Sequence, residues 1–399
     1  MTTLLRPMLS GLPIGASTEL DALLNEVCAA LQISATQYRN AEEKYQSVGR
    51  WLAAPESPIA GLNPVIFPQG SMALQTTVRP WTDDDSYDLD LVLQVEPTSE
   101  DPMTLYRLVE LRLRESPHYR HILEQKKRCL ALNFAGDDHA FHMDILPARA
   151  DAVRGGTCIE VPDKHTPERW QPSNPKGYRD WFEQRATEAA LLLAERTQEP
   201  LPENDPAYAK AVLKRAVQLL KRRRDLLIRD DALSPRSVVL TTLAGTHYRG
   251  EGHVGLALMS ILSGIAGAID DARPGRIVIC NPANAGERFC ESFKTDAQYE
   301  AFVDFIGRFR DETARLLATT GLLSLKPVLA DMFGERMANR ALLEHSRRMD
   351  AARDAGTVVG HTRAGVAGLA IAGATGAAGG PSGTRARGPS VLSNTFYGE

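Results

Sequence analysis

Hydrophobic and polar residues follow both helical and extended patterns over the first half of the chain. Apolar residues recur at helical spacing within residues 17–54, and a second helix is predicted over residues 102–116. Residues 88–95 alternate like a strand, and residues 129–134 and 140–146 flank the turn-forming sequence Gly-Asp-Asp as the two strands of a hairpin. Strands interleaved with helices, together with an antiparallel pair, predict a mixed α/β sheet.

The second half of the chain shows only helical patterns, up to about residue 354. After a loop region, the periodicity predicts helices over residues 178–197, 206–229, 235–248, 252–269, 297–318 and 326–352. From about residue 355 the chain is rich in Gly, Ala, Ser, Thr and Arg without periodicity, which predicts a flexible tail. We therefore predict an N-terminal unit over residues 1–200, a helical unit over residues 201–354 and a tail over residues 355–399.

Composition narrows the possible functions. A net charge of −4 and a pI of about 6.2 exclude a protein that coats nucleic acid through a generally basic surface. The five cysteines are scattered without a CxxC motif, which predicts free thiols in a reducing compartment. The N-terminus lacks a signal-peptide pattern, and the apolar stretch at residues 364–380 is too short and too rich in Ala and Gly to predict a membrane span. We expect a soluble cytoplasmic protein without a membrane contact.

The strand predicted over residues 88–95 begins with two aspartates. Residues i and i+2 of a strand share one face, so Asp88 and Asp90 project together while the intervening leucines point into the core. Two adjacent carboxylates repel each other unless a cation lies between them, and oxygen ligands of this kind suit Mg²⁺. A two-metal site needs a third carboxylate from a neighbouring strand, and Asp144 in the strand 140–146 supplies one.

A DxD pair alone is a weak signal, because many surface strands carry alternating aspartates, and Asp144 alone would suit a hydrogen-bonded strand residue. Residues 83–85, all aspartates, are interpreted as a solvated loop. The upstream sequence strengthens the signal, because Gly70 and Ser71 lie between a short predicted strand and a segment that can form a helical turn. Glycine allows the backbone to approach a phosphate closely, and a helix N-terminus and a serine hydroxyl offer donors. Thr76 and Thr77 either line the same pocket or cap a turn.

The sequence GSMALQTTVRP, followed by YDLDLVL and FHMDILPA, resembles the DNA polymerase β-like nucleotidyltransferase superfamily. Within it, the chain resembles the cGAS/DncV-like nucleotidyltransferases (CD-NTases), the bacterial relatives of oligoadenylate synthetase. AVQLLKRRRD is similar to the helix with a phosphate-contacting lysine, here Lys221, and LSPRSVVLTTLAGTHY to the helix that opens with a serine near the nucleotide, here Ser237. IVICNPANAGERF resembles a late Asn/Asp-Pro segment of the family. The resemblance implies an α+β fold with a bilobal polymerase-β-like core, a mixed sheet with helices, and an all-helical C-terminal domain.

The helix over residues 210–225 is amphipathic and basic. Lys210, Lys214 and Lys221 lie near one stripe, and the resemblance implies contact of Lys214 and Lys221 with a triphosphate. The three arginines at residues 222–224 are interpreted as a solvated face. The run could instead bind a nucleic-acid activator, but the acidic pI argues against that.

The chain departs from the family pattern where several members have a base-stacking aromatic residue after the helix-opening serine. Here the next residue is Val238, so stacking would come from Tyr248 or Tyr178, or would be weak. His142 shares a strand face with Asp144; it could tune Asp144 or contact the nucleotide, but it is interpreted as an ordinary strand histidine.

The resemblance implies template-independent transfer between nucleoside triphosphates. Two Mg²⁺ ions, for which Mn²⁺ can substitute, are implied at Asp88, Asp90 and Asp144, with the donor triphosphate on the Gly-Ser turn and Lys221. Asp144 would help deprotonate an acceptor ribose hydroxyl, which attacks the α-phosphorus and releases pyrophosphate; a second attack would close a ring. The expected product is a cyclic di- or trinucleotide second messenger in bacterial anti-phage signalling.

Two other functions remain open. The first is transfer to RNA, a protein or a small molecule, although tailing of RNA would require a broad basic surface that the composition lacks. The second is an inactive nucleotide sensor, against which the complete set of aspartates argues. The terminal sequence VLSNTFYGE is compatible with a short docking motif, and the resemblance permits docking or conjugation by an E1/E2-like ligase. A chance end of the chain is an equal alternative.

Overall fold

A mixed sheet gathers the strands of the first half of the chain. The computed structural model describes residues 14–80, 86–134, 141–187, 210–290, 293–355, 358–363 and 366–371. Within these residues the sheet has seven strands: β1 (Val65–Gln69), β2 (Tyr87–Val95), β3 (Leu123–Gln125), β4 (Leu130–Phe134), β5 (Phe141–Ala150), β6 (Ile159–Val161) and β7 (Gln171–Ser173). The order is β1-β2-β5-β4-β3, and β6 and β7 extend from β5. Strands β2 and β5 are parallel and the other pairs are antiparallel, which confirms the predicted mixed sheet and the β4–β5 hairpin.

The helical segment predicted over residues 17–54 forms two helices, α1 (Ile14–Ala30) and α2 (Ala35–Leu52). Ser34 starts the second helix, because its hydroxyl accepts a hydrogen bond from the N–H of Gln37 while the Gln37 side chain accepts one from the N–H of Ser34. Two further helices follow among the strands: α3 (Gly70–Ala73), a single turn after β1, and α4 (Pro102–Glu115), which follows β2.

Alternation along β2 defines the two faces of the sheet. Leu89, Leu91 and Leu93 are fully buried in a cluster that also contains residues of α2 and α4. Asp88 and Asp90 therefore project from the opposite face, because side chains of successive strand residues point in opposite directions. The sequence pattern predicted this orientation correctly.

The register between strands brings the polar ends of β1, β2 and β5 together. In the parallel pair, Asp90 lies beside Asp144 and Asp88 lies beside His142. On the other side of β2, Gln69 at the end of β1 lies beside Asp90. The turn that follows β1 and the third aspartate thus meet at the same edge of the sheet.

Helices dominate the second half of the chain, as predicted. They are α5 (Pro175–Thr187), α6 (Val212–Leu227), α7 (Ser237–His247), α8 (Val254–Asp271), α9 (Asp296–Ala318), α10 (Leu322–Phe333) and α11 (Glu335–Asp354). An antiparallel hairpin, β8 (Cys280–Asn281) and β9 (Asn284–Arg288), lies between α8 and α9 in the segment that contains the Asn-Pro sequence. Residues 188–209, which include parts of two predicted helices, lie outside the described residues.

The core of the helical half also includes α1. Leu23, Leu24 and Val27 are fully buried in the same cluster as apolar residues of α6, α7, α8 and α9. The first helix, which was predicted within the unit 1–200, thus packs with the C-terminal helices, whereas α2 packs on the sheet. The chain passes from one half of the structure to the other within its first fifty residues.

Among the described residues, α8 is the one helix whose length and composition would suffice to cross a membrane. Its central residues Leu258, Ile261 and Leu262 are fully buried among the other helices. Such burial is typical of a helix in a protein core, and core helices can be as long and as apolar as membrane-spanning ones.

Two strands lie in the segment that was predicted as a flexible tail. Strands β10 (Val358–Arg363) and β11 (Val366–Ile371) pair in an antiparallel sheet of their own, in contact with α11 and α1 respectively. These strands lie where a flexible tail was predicted, because neither VVGHTR nor VAGLAI shows the alternation of apolar and polar residues from which a strand could be predicted. The sequence VLSNTFYGE lies outside the described residues.

The basic run of α6 is not the solvated face that was predicted. The side chains of Arg222 and Arg223 are 0% and 2% exposed. Arg223 forms a bidentate pair with Glu312 of α9, with Nη2–Oε1 and Nε–Oε2 distances of 2.6 and 2.8 Å. The prediction failed because helices pack around α6, so even its polar side meets partners from distant parts of the sequence.

Replacing Arg223 by methionine should strongly destabilise the helical half. The change leaves the buried Glu312 carboxylate with Arg308 as its remaining cation, and losing one partner of a buried pair costs about 3–5 kcal/mol. The control Arg347→Met breaks an exposed pair with Glu344 and should cost less than about 1 kcal/mol. Urea unfolding followed by circular dichroism measures both variants, and equal midpoints would contradict the role given to Arg223.

Candidate active site

A cavity of about 420 Å³ opens where the sheet meets the helical half. Its described walls come from the turn between β1 and α3, the start of β2, α5, α6, the start of α7 and the β8–β9 hairpin. The volume is typical of a small-molecule site. The predicted residues that line it are Gly70, Ser71, Asp88, Asp90, Lys221 and Ser237.

Gly70 allows a carboxylate to approach the backbone. Its φ of 67° lies in the left-handed region that favours glycine. A Cβ atom at this position would lie 2.0 Å from Oδ2 of Asp90, so any side chain would displace that carboxylate. Because α3 has only one turn, a phosphate bound here would depend on the exposed N–H groups of the turn more than on a helix dipole.

The two aspartates of β2 are held in an environment that disfavours their charge. Burial, together with the charges of Asp88 and Asp144, raises the pKa of Asp90 to about 7. Burial and the neighbouring Asp144 also raise the pKa of Asp88. The cations of Lys126 and Lys221 oppose both shifts without cancelling them. A bound cation would relieve this repulsion.

Asp144 has a cationic partner that the sequence did not reveal. Nζ of Lys126 donates to Oδ1 and Oδ2 of Asp144 at 2.9 and 3.2 Å, and the Cys129 thiol donates to Oδ2 at 3.5 Å. Burial opposes protonation of Lys126, but the hydrogen bond and the charge of Asp144 outweigh it, so the pKa of Lys126 is raised. The only sequence signal was a basic cluster, Lys-Lys-Arg, between β3 and β4.

The carboxylates suit a hard divalent cation, although the structure does not gather all three around one point. Asp88 and Asp90 offer the oxygen ligands that Mg²⁺ prefers. Asp144 adjoins Asp90 in register, but its carboxylate is paired with Lys126. Within the described part of the chain, no three His, Cys, Asp or Glu side chains are grouped so that they could hold a metal ion. The pair on β2 thus fits Mg²⁺, and Asp144 would join it only after release from Lys126.

The residues after the Gly-Ser turn hold Ser71 and Lys221 in place. Oγ of Ser71 and Oγ1 of Thr77 share a hydrogen bond of 3.0 Å. Nζ of Lys221 donates to the carbonyl oxygen and to Oγ1 of Thr76 at 3.1 and 3.0 Å. Thr77 therefore lines the cavity, and Thr76 anchors the lysine.

Lys221 is a buried cation at the wall of the cavity, only 5% exposed. Burial, together with the Arg224 guanidinium, lowers its pKa to about 7, although Asp225 and the aspartates of β2 oppose the shift. An anion in the cavity would favour the charged form, so Lys221 is suited to bind phosphate.

The structure does not bring Lys214 into the site. Its Nζ atom forms a salt bridge with Oε1 of Glu183 at 2.7 Å and donates to Oε1 of Gln75 at 2.8 Å. Lys214 is not among the described residues that line the cavity. Lys214 lies seven positions before Lys221, about 10 Å along the helix, and its side chain is held by Glu183 of α5 and by Gln75.

Ser237 begins α7 at the cavity wall, and its partner was missed. Nη1 of Arg224 donates to Oγ of Ser237 and to the Pro235 carbonyl, both at 3.0 Å. Its Nε and Nη2 atoms donate to Oδ1 of Asp225 at 2.8 and 2.7 Å. Arg224 and Asp225 both line the cavity. The interpretation of residues 222–224 as solvated hid this contribution.

Of the two tyrosines considered for base stacking, the structure brings Tyr178 to the cavity. Its hydroxyl shares a hydrogen bond of 3.0 Å with Thr242, and its ring meets Phe289 edge-on with centroids 5.9 Å apart. Tyr248 instead donates to the Glu251 carbonyl and is not among the described lining residues. Tyr178 and Phe289 thus form an aromatic wall at the cavity.

The β8–β9 hairpin closes the cavity next to that wall. The Glu287 carboxylate accepts hydrogen bonds from Oγ of Ser173 at 2.9 Å, from Nδ2 of Asn281 at 2.7 Å and from the N–H of Asn174 at 3.2 Å. These bonds join the end of the sheet to the hairpin. The Asn-Pro segment singled out in the sequence therefore contributes Asn281, Glu287 and Phe289 to the site.

The fold and the cavity define a nucleotidyltransferase of the polymerase-β-like class, and comparisons with known proteins agree. The profile of the Second Messenger Oligonucleotide or Dinucleotide Synthetase domain matches residues 19–186. The chain is 31% identical over 325 residues to a c-di-GMP synthase of Roseivirga ehrenbergii, a match that covers 80% of this chain and 85% of that protein. It is 28% identical over 356 residues to the cyclic dinucleotide synthase CdnG of Bradyrhizobium diazoefficiens, covering 83% and 84%. The chain therefore belongs to the cGAS/DncV-like nucleotidyltransferases.

Solved structures show the same architecture. The complex of B. diazoefficiens CdnG with GTP superimposes with a TM-score of 0.66 at 27% identity, covering 82% of this chain and 99% of that one. Vibrio cholerae DncV, a cyclic AMP-GMP synthase, shares the fold with a TM-score of 0.52 at 14% identity, covering 85% and 91%. The predictions of family, fold class and enzyme are confirmed.

Gly70→Ala should abolish most of the nucleotidyltransferase activity and leave the protein folded. The new methyl group would meet the Asp90 carboxylate at 2.0 Å and would strain the backbone at φ 67°, and a displacement of this size costs about 100-fold in rate. Gly61→Ala is a matched control, because a Cβ there meets nothing within 4 Å. Pyrophosphate release and thermal melting would be measured for both; full activity of the Gly70 variant would contradict the contact.

Asp90→Asn should stabilise the protein at pH 8 in EDTA. Because the folded-state pKa of Asp90 is raised to about 7 from an unfolded value of about 4, its ionisation destabilises the protein fully above pH 7. This cost shrinks as the pH falls from 7 to about 4 and is lost below that. We expect the gain to be about 2–3 kcal/mol larger at pH 8 than at pH 5. Urea unfolding at both values measures the difference. The control Glu96→Gln removes an exposed carboxylate just beyond β2 and should leave the stability unchanged at both pH values.

Proposed function

We propose that this chain joins two nucleoside triphosphates, at least one of them GTP, into a cyclic dinucleotide. The observation that carries the proposal is the convergence of the Gly-Ser turn, the Asp88–Asp90 pair and Lys221 on one cavity. The relatives support the choice of product, because one is a c-di-GMP synthase and the other a cyclic dinucleotide synthase whose structure contains GTP. Guanine is therefore the first base to test.

The donor triphosphate would lie between the turn and α6. The N–H groups that follow Gly70 and the Ser71 hydroxyl offer donors, and Lys221 offers a positive charge fixed by Thr76. Arg224 lines the same cavity and is oriented by its bonds to Asp225. These groups position the triphosphate and stabilise the charge that develops on the leaving pyrophosphate.

The acceptor hydroxyl would attack the α-phosphorus next to the carboxylates of β2 and β5. We propose that Asp88, Asp90 and, once released, Asp144 hold Mg²⁺, or Mn²⁺ in its place. When bound, the metal would lower the pKa of the acceptor hydroxyl and neutralise charge on the phosphates. Asp144, which adjoins Asp90 in register, would help to take up the proton of the acceptor.

The base of one nucleotide would lie against the aromatic wall. Tyr178 of α5 and Phe289, just after β9, line the cavity, and Val238 adds an apolar surface where an aromatic residue was expected from the family. The ring of Tyr178 is fixed by its bond to Thr242, which limits the entropy lost when a base stacks on it.

The biological setting follows from the family and is part of the same proposal. We propose a cytoplasmic enzyme whose product serves as a second messenger in bacterial phage defence. Docking or conjugation of the chain end by an E1/E2-like ligase stays a prediction, because residues 372–399 lie outside the described residues.

The decisive experiment incubates the purified full-length chain with all four NTPs, labelled at the α-phosphate, and with Mg²⁺ or Mn²⁺. A phosphatase-resistant product with the mass of a cyclic dinucleotide containing guanine is expected. Asp88→Asn and Asp144→Asn should each reduce its formation at least about 100-fold, whereas Glu96→Gln should not. Linear products only, or label on RNA or protein, would instead favour transfer to another acceptor. No incorporation with either metal would contradict the proposal.

A further inference from the structure

Lys126 holds the third aspartate of the site. Its Nζ atom donates to both carboxylate oxygens of Asp144 at 2.9 and 3.2 Å. The N–H of Lys126 also donates to the Cys129 carbonyl at 3.0 Å, which closes the turn between β3 and β4. Because β4 pairs with β5, this turn is fixed relative to Asp144 by the sheet itself. The contact is therefore built into the fold and does not depend on a loop from elsewhere.

The position of this contact bears on the reaction proposed above. Asp144 adjoins Asp90 in the parallel register, and it is the carboxylate that a two-metal site requires from β5. Its oxygens are occupied by the ammonium group instead. Lys126 thus supplies positive charge to the three carboxylates from the side of the sheet, as Lys221 does from α6.

The pair is also placed so that it can separate. The side chain of Lys126 is 38% exposed and that of Asp144 is 24% exposed, so water reaches both groups. Ion pairs in such positions contribute little to stability. A divalent cation carries twice the charge of an ammonium group and binds carboxylates directly, so it can displace Lys126.

We propose that Lys126 is a positioning residue that acts as a displaceable counter-ion of Asp144. It keeps the Asp144 carboxylate out of the metal site until a divalent cation takes its place, and this raises the concentration of metal that the enzyme needs. The inference rests on the proposed function, because only a metal-dependent transfer uses Asp144 as a ligand.

The test measures metal binding rather than turnover. Full-length, nucleotide-free protein is titrated with Mn²⁺, and the free ion is followed by electron paramagnetic resonance. Lys126→Met should lower the dissociation constant of the weakest site by about fivefold, the size expected when a partly exposed competing ion pair is removed. Lys126→Arg keeps the charge and should bind Mn²⁺ like the wild type.

Lys127→Met is the matched control. It removes the same charge one residue further along, but Nζ of Lys127 pairs with Asp163 at 3.0 Å and not with Asp144. This variant should leave the Mn²⁺ constant unchanged. An equal gain in the Lys126 and Lys127 variants would overturn the proposal, because it would reflect net charge alone.

A double variant distinguishes a direct contact between Lys126 and Asp144 from a general electrostatic effect of the Lys126 charge. In an Asp144→Asn background, Lys126→Met should no longer tighten Mn²⁺ binding, because the ligand for which the two cations compete is gone. The same fivefold gain with and without Asp144 would overturn the inference, as would no gain in the single variant. Cyclic product formed by the wild type despite unchanged Mn²⁺ constants would overturn this inference alone. Absence of any product from the wild type would overturn the proposed function and with it the role of Asp144.

Discussion

Repulsion among carboxylates is the constraint on which the site depends. Parallel pairing of β2 with β5 places Asp90 beside Asp144, and the alternation of β2 adds Asp88 on the same face. Such a cluster is unfavourable unless positive charge compensates it. The fold supplies that charge from two directions, through Lys126 on the hairpin next to β5 and Lys221 on α6. The contact of the helical half with the sheet therefore brings the Lys221 charge to the carboxylates.

The sequence predicted the parts of this site that depend on local rules. Strand periodicity predicted the shared face of Asp88 and Asp90. The backbone freedom of glycine marked Gly70 for close approach by a phosphate, and the structure shows the Asp90 carboxylate at that position. The family resemblance added Lys221 and Ser237, which reach the cavity. Each of these features depends on residues only a few positions away along the chain, or on a short motif.

What the sequence could not give depends on contacts between distant segments. Lys126 meets Asp144 only because two hairpin strands fold back on one another. Lys214 shares its helix stripe with Lys221, yet Glu183 of α5 pairs with it, and no local rule distinguishes the two lysines. Arg223 resembled a solvated residue until α9 supplied Glu312. Charged side chains are the hardest to predict because their partners, and not their own spacing, decide where they lie.

The opposite pKa shifts of Asp90 and Lys221 explain why metal and nucleotide would act together. The surroundings raise the pKa of Asp90 and lower that of Lys221, both to about 7, so each group is disfavoured in its charged form. A metal ion alone would satisfy the aspartate and further disfavour the lysine, whereas a triphosphate alone would do the reverse. Only a complex that carries both charges satisfies both groups at once. Under the function proposed above, a metal-bound nucleotide would satisfy both groups, and each component would then strengthen binding of the other.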